Sequence, residues 1–299
     1  MPLKLTIDIF SGRSNPVLIV DEKDVKKILD KIDLSGKSRA ISSKTAQHPG
    51  GLGYRGIIVE QTSRVTKSLP KKMHLTHKNM FSDGNIAELN GEAFEDFVFS
   101  KLSRFKDVPN RKEFKNFLDK EVRRFKGRAT IPGQILIPPI LNTCSCAPDA
   151  DIAFWNDGST IQGSNNCYNY ASNYRTNTFA QPGKSSGLQY TSLSGCSVAA
   201  GQRSAKDGAI ADKLTDLPLA NNRCPAKGHL VALVIAPSFD FHWFRKGPNG
   251  MWSHKQGFTA VQLADNSGNP ISDPRTADRG PYTQFCTFMQ VIHGHIKIG

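Results

Sequence analysis

The run Leu230–Ala236, LVALVIA, most restricts what this chain can fold into, because it is the longest uninterrupted apolar stretch in the 299 residues. It is far too short to span a bilayer. Gly228 and Pro237 bound it, so it reads as a buried strand with His229 at its entrance. Pairing of 229–236 with 241–246 across PSFD sets residue 236 opposite 241 and His242 opposite Ile235. His229 and His242 then stand about six residues apart along the strands, roughly 20 Å. A tight turn of even length at GPNG, 247–250, puts His242 and His254 on opposite faces, which makes His254 the most structural of the three histidines. It still stands with Gln162 and Asp265 as a candidate orienting or oxyanion residue.

Charge divides the chain. Residues 1–130 hold 26 of the 39 Lys+Arg and 16 of the 26 Asp+Glu, a net +10 against +3 for residues 131–299. Such an excess favours an anionic surface: a phosphate-bearing polymer, acidic lipid headgroups or, less favoured here, nucleic acid. The six cysteines, at 144, 146, 167, 196, 224 and 286, all lie in the other half. Disulfides among them fit work outside the cytosol, with a connectivity that sequence does not give. Cys144-Ser-Cys146 is too tight for a zinc knuckle, and neither a metal nor an organic cofactor is expected. MPLKLTIDIF alternates where a signal peptide would be continuously apolar, so a chain without a conventional cleaved leader or transmembrane segment is expected, cytoplasmic until delivered or released.

The opening reads as strand, turn, strand, helix. Leu3, Leu5, Ile7 and Ile9 share one strand face. Val17–Val20 follows FSGRSNP, and Asp21 caps a helix carrying Val25, Ile28, Leu29 and Ile32. Residues 33–55 read as an exposed connection, and GIIVEQ at 56–61 as a strand. HPGGLGYRG at 48–56 lacks the order of a phosphate loop and reads as a turn. Two amphipathic helices follow. The first sets Phe94, Phe97, Val98, Leu102 and Phe105 on one face. The second starts at Asn110 with Glu113 placed for a capping box and carries Phe114, Phe117, Leu118, Val122 and Phe125. Composition changes within KGRATIPGQILIPPILNT, so a domain boundary is expected near 130, with strands and loops beyond it.

Cys167 in SNNCYNYASNY is a candidate nucleophile, at the start of a short aromatic helix capped by an asparagine. Gln162, five residues upstream, is a candidate oxyanion donor. Trp243, Trp252, Phe241 and Tyr282 are candidates for a substrate groove. Together Cys167 and GHLVALVIAP resemble the papain-like fold in its broad sense, including NlpC-type and CHAP-type amidases. The string DFHWFR…GMWSHKQG…DNSG…ISDP is similar to uncharacterised bacterial toxin-associated proteins.

Charge and pattern give an α+β chain with a basic α+β domain over 1–130, and the resemblance implies a papain-like α+β domain with an antiparallel sheet over 131–299. It implies Cys167 as nucleophile, His229 as base and His242 as the orienting group, with His242 as base and Asp265 as orienter an open variant. The activity implied is hydrolysis of an amide in a peptide, a protein or peptidoglycan. Two alternatives stand beside it: deamidation or acyl transfer on a host protein, and non-enzymatic binding of nucleic acid or an anionic polymer.

Overall fold

The computed structural model describes residues 3–32, 38–40, 50–62, 70–82, 85–88, 91–128 and 144–299. The proline-rich stretch 129–143 and most of the 33–49 connection lie outside the described residues. Contacts divide the chain into two compact units. One comprises Met1–Ile9, Ser14–Pro49 and Tyr54–Gly127; the other comprises Phe10–Arg13, Gly50–Gly53 and Arg128–Gly299. Each is α+β with antiparallel strand pairing, and the basic first unit takes most of the region in which the charge is concentrated.

The first unit contains β1 (Leu3–Asp8), β2 (Val17–Val20), α1 (Glu22–Leu29), β3 (Ser38–Ala40), β4 (Gly56–Gln61), β5 (Lys72–Leu75), β6 (Asn79–Ser82), β7 (Asn85–Glu88), α2 (Glu92–Ser100) and α3 (Arg111–Lys126). Its sheet runs β2-β1-β4-β5-β6-β7-β3. Leu3, Leu5 and Ile7 are buried as the alternation requires, yet Thr6 and Asp8 on the other face are buried too. Asp8 is compensated there: Arg55 donates to it from Nε at 3.0 Å and from Nη2. Asp21 holds the N-cap position of α1, but its carboxylate pairs with Arg104 at 3.2 Å rather than capping the helix. The expected capping box at α3 is not formed. Asn110 has φ 37°, and its side-chain amide donates to Glu113 Oε2 at 2.7 Å.

The second unit contains α4 (Ile152–Trp155), α5 (Thr160–Ser164), α6 (Cys167–Ser172), α7 (Ala205–Ala211), β8 (Thr215–Asp216), β9 (His229–Ala236), β10 (Asp240–Lys246), β11 (Trp252–Lys255), β12 (Val261–Gln262) and β13 (Gln284–Val291). Its sheet runs β12-β11-β10-β9-β13-β8. All eight residues of β9 are buried, as suits an apolar strand flanked on both sides. Val231, Leu233, Ile235, Phe241, Trp243 and Met289 pack with Tyr168 and Ala171 in one cluster. Two disulfides, Cys144–Cys224 and Cys196–Cys286, close loops whose ends are 80 and 90 residues apart. No helix among the described residues is long and apolar enough to cross a membrane.

Both turns of the central hairpin differ from expectation. Ser238 has φ 69°, and Phe239 N–H bonds the Ala236 carbonyl at 2.9 Å. The loop therefore holds three residues, not four, and Asp240 pairs with Ala236 while His242 pairs with Val234. In the next turn Lys246 pairs with Trp252, so the loop spans five residues, 247–251. An odd loop reverses the parity, which puts His254 opposite Phe244 and on the same face as His242.

Candidate functional site

Asn166 caps α6 as the sequence suggested. Its side chain accepts from Tyr168 N–H at 3.0 Å and Asn169 N–H at 3.1 Å, and Asn169 Oδ1 accepts from Asn166 N–H in return. Cys167 thus occupies the first helical position, but its side chain points into the core and is completely buried. Its sulfur lies 4.0 Å from the Phe241 carbonyl oxygen. Burial pushes the thiol pKa well above the usual range, and the Asp240 carboxylate pushes it in the same direction. A buried thiol held in its protonated form has neither the access nor the charge that nucleophilic catalysis needs.

The histidines separate from it. Phe241 and Trp243 belong to the cluster around Cys167, so His242, lying between them on β10, projects from the other face of the sheet. There its ring meets Phe244, His254 and Tyr282 at centroid distances of 4.9, 5.0 and 5.5 Å. His254 Nε2 lies 3.0 Å from the Ala264 carbonyl, which can only accept, so Nε2 carries the proton. His254 Nδ1 then accepts from His242 Nε2 at 2.9 Å. The pair expected on opposite faces is hydrogen-bonded, in a buried chain ending on backbone. His229 shares the sulfur's face but donates from Nε2 to the Ala171 carbonyl at 2.7 Å, at the far end of α6.

Burial lowers the His229 pKa from 6.5 to about 4. Above the unfolded value both states carry a neutral ring. As pH falls from 6.5 to about 4 only the unfolded chain gains a proton, so stability is lost through that window, by up to about 3 kcal/mol. His229→Gln keeps an N–H for Ala171 without titrating. Urea unfolding near pH 7 and near pH 4.5 is expected to show a clearly smaller acid loss in the variant than in the wild type. Equal losses would mean that His229 is not the responsible group.

The other candidates disperse. Gln162 is buried, and its backbone N–H donates to Asp157. Asp265 accepts backbone N–H groups of Ser267, Asn269 and Asp278 and so organises its own loop, without a histidine among these partners. Trp243 is core, tilted against Tyr168 at 5.3 Å. Trp252 is also buried. It donates to Asn222 at 2.9 Å but borders a cleft of ≈ 340 Å³ shared with Asp149, Asp151, Met251 and Leu263. Tyr282 donates to Asp240 at 2.5 Å. Among the described residues no group of three or more His, Cys, Asp or Glu side chains could hold a metal ion.

The residues that organise this region are ones sequence reasoning passed over. Asp240 is buried and accepts from the N–H groups of Ser11, Gly12 and Arg13 at 2.5, 3.2 and 3.1 Å, and from Tyr282. Lys255 is buried with Nζ on the carbonyls of Gln162, Asn165 and Gly257 at 2.6, 2.5 and 2.7 Å, and burial lowers its pKa to about 7. Arg245 joins the carbonyls of Tyr170 and Asp149 and lies 3.9 Å over the Tyr170 ring. Charged residues in a strand read as its exposed face, and only the segments that fold over them reveal otherwise. The arrangement knits loops to a sheet through buried, hydrogen-bonded charges.

No family model matches the chain. No solved structure matches it either. A protein to which it is similar is the insoluble matrix shell protein 1 of Ruditapes philippinarum, 47% identical over 139 residues, a stretch covering 46% of this chain and 85% of that protein. This relationship overturns the resemblance to NlpC-type and CHAP-type amidases and to bacterial toxin-associated proteins. With it falls the reading of the chain as a cysteine-dependent peptidase, peptidoglycan amidase or deamidating toxin.

Proposed function

Because the chain belongs to the family of the insoluble matrix shell protein 1, we propose that it is a structural component of an extracellular matrix, acting by binding and cohesion. The family relationship carries this reading. Two disulfides support it, since such bridges persist in oxidising compartments outside the cytosol. So does the region around Cys167, where the polar groups serve the fold.

The matrix component it holds is anionic, and α3 is the contact. Lys115, Arg124 and Lys126 are paired with Asp119, Glu121 and Glu92. Lys112, Lys120 and Arg123 are exposed, have no ion pair among the described residues, and fall on one stripe at helical spacing. Three cations in a row suit a polyanionic chain. Immobilised heparin serves as the probe. The triple variant Lys112→Ala, Lys120→Ala, Arg123→Ala is expected to bind roughly tenfold more weakly near 0.15 M salt, with unchanged folding. Equal retention would remove α3 as the contact. Recovery of the native chain in the soluble extract, and none in the insoluble extracellular residue, would sink the matrix reading itself.

A further inference from the structure

Of the six cysteines, all of them described, four are bridged, Cys167 is completely buried, and Cys146 is exposed. Cys146 is thus the one thiol that solvent reaches, and it lies beside a disulfide. Its sulfur is 3.9 Å from the carbonyl oxygen of Ala226, two residues after Cys224, while Cys144, two residues before it, bridges to Cys224. A turn closed by Ala147 N–H on the Cys144 carbonyl at 2.8 Å holds Cys144 and Cys146 together. The two ends of the bridge differ. Cys144 is 4% exposed and anchored by its N–H to the Pro248 carbonyl, whereas Cys224 is partly exposed between the exposed Arg223 and Lys227 side of its loop and Pro225.

We propose that Cys144, Cys146 and Cys224 form a thiol–disulfide exchange site that links one copy of the chain covalently to another. The Cys146 thiolate of one copy attacks the Cys224 sulfur of a second. The Cys146–Cys224 bond forms, the Cys144–Cys224 bond breaks, and Cys144 leaves as a thiolate that takes up a proton. One disulfide and one thiol enter the step and one of each leaves it, so no oxidant is consumed. Attack at Cys224 follows from its exposure, and the flanking Arg223 and Lys227 attract an incoming thiolate. Exchange within one copy is disfavoured because in-line attack approaches Cys224 from the side away from Cys144, and Cys146 shares the turn of Cys144. The second copy keeps its own exposed Cys146, which attacks a third, so linkage extends past the dimer at which direct pairing of two Cys146 thiols would stop. This inference names the partner of the matrix component proposed above and rests on that reading for its role, though not for its chemistry.

The test uses the full chain purified with its disulfides intact and held under argon with a chelator near pH 8. Samples are quenched with N-ethylmaleimide and run on non-reducing gels. The expected result is a ladder that grows with time, collapses on reduction and yields a Cys146–Cys224 cross-linked peptide. Cys146→Ser is expected to remain monomeric, whereas Cys167→Ser forms the same ladder. A persistent monomer, an undiminished ladder in Cys146→Ser, or a dimer carrying Cys146–Cys146 that appears only with added oxidant would each overturn the proposal. A ladder from a chain absent from the insoluble fraction would count against the matrix reading alone. An unlinked monomer retained in that fraction would count against the exchange site alone.

Discussion

Asp240→Ala is expected to lower the unfolding free energy of the second unit by about 4 kcal/mol, because one carboxylate satisfies four donors, three of them buried and the fourth partly so. Three are consecutive backbone N–H groups, from Ser11 to Arg13, and the fourth is the Tyr282 hydroxyl. A hydrogen bond to a charged acceptor is worth about 1.5–3 kcal/mol, and a donor stranded in the interior costs about 1–3 kcal/mol. Water entering the space left by the deletion would recover part of that loss, which is why the figure falls below the sum. Asp240→Asn keeps one carbonyl oxygen and is expected to lose less. The readout is unambiguous, since all three tryptophans, at 155, 243 and 252, lie in the second unit. Tryptophan fluorescence during urea unfolding reports that unit, and a shift below about 1 kcal/mol would mean that the carboxylate is not what holds residues 10–13 in place.

The same residue marks where sequence reading stopped. The elements themselves were legible: period-2 alternation located β1, the apolar run located β9, and the phenylalanine stripes located α2 and α3, although α2 ends at Ser100, short of Leu102 and Phe105. Each signal is local and is set by which face of a single element must be buried. The parity of two loops was not legible. Ser238 adopts a left-handed conformation that nothing in PSFD demands, and the five-residue loop 247–251 reads as a four-residue GPNG turn. One residue in each loop moved a histidine to another partner or another face.

The candidate site failed for a related reason. Cysteine, histidine and asparagine at plausible spacings describe a thiol hydrolase and a polar core equally well, and the difference lies in what covers them. For Cys167 the cover comes from Phe241 and Trp243, and for His229 the partner is a carbonyl of α6. Those contacts join segments some 58–74 residues apart, beyond the reach of any motif. The capping asparagine, whose evidence is within three residues, was read correctly.

The conspicuous thiol and imidazoles of the second unit, Cys167, His229, His242 and His254, are held by the fold as structural groups. Measuring the labelling rates of the two free cysteines in the native chain tests this most directly. With iodoacetamide near neutral pH and tryptic mass mapping, Cys146 is expected to label readily. Cys167 reacts only after the core opens, which for a unit stable by roughly 5 kcal/mol slows it about a thousandfold or more. His229→Ala should not slow Cys167 further and, by weakening the fold, should speed it. Preferential labelling of Cys167 over Cys146 in the native protein, abolished by His229→Ala, would contradict the account.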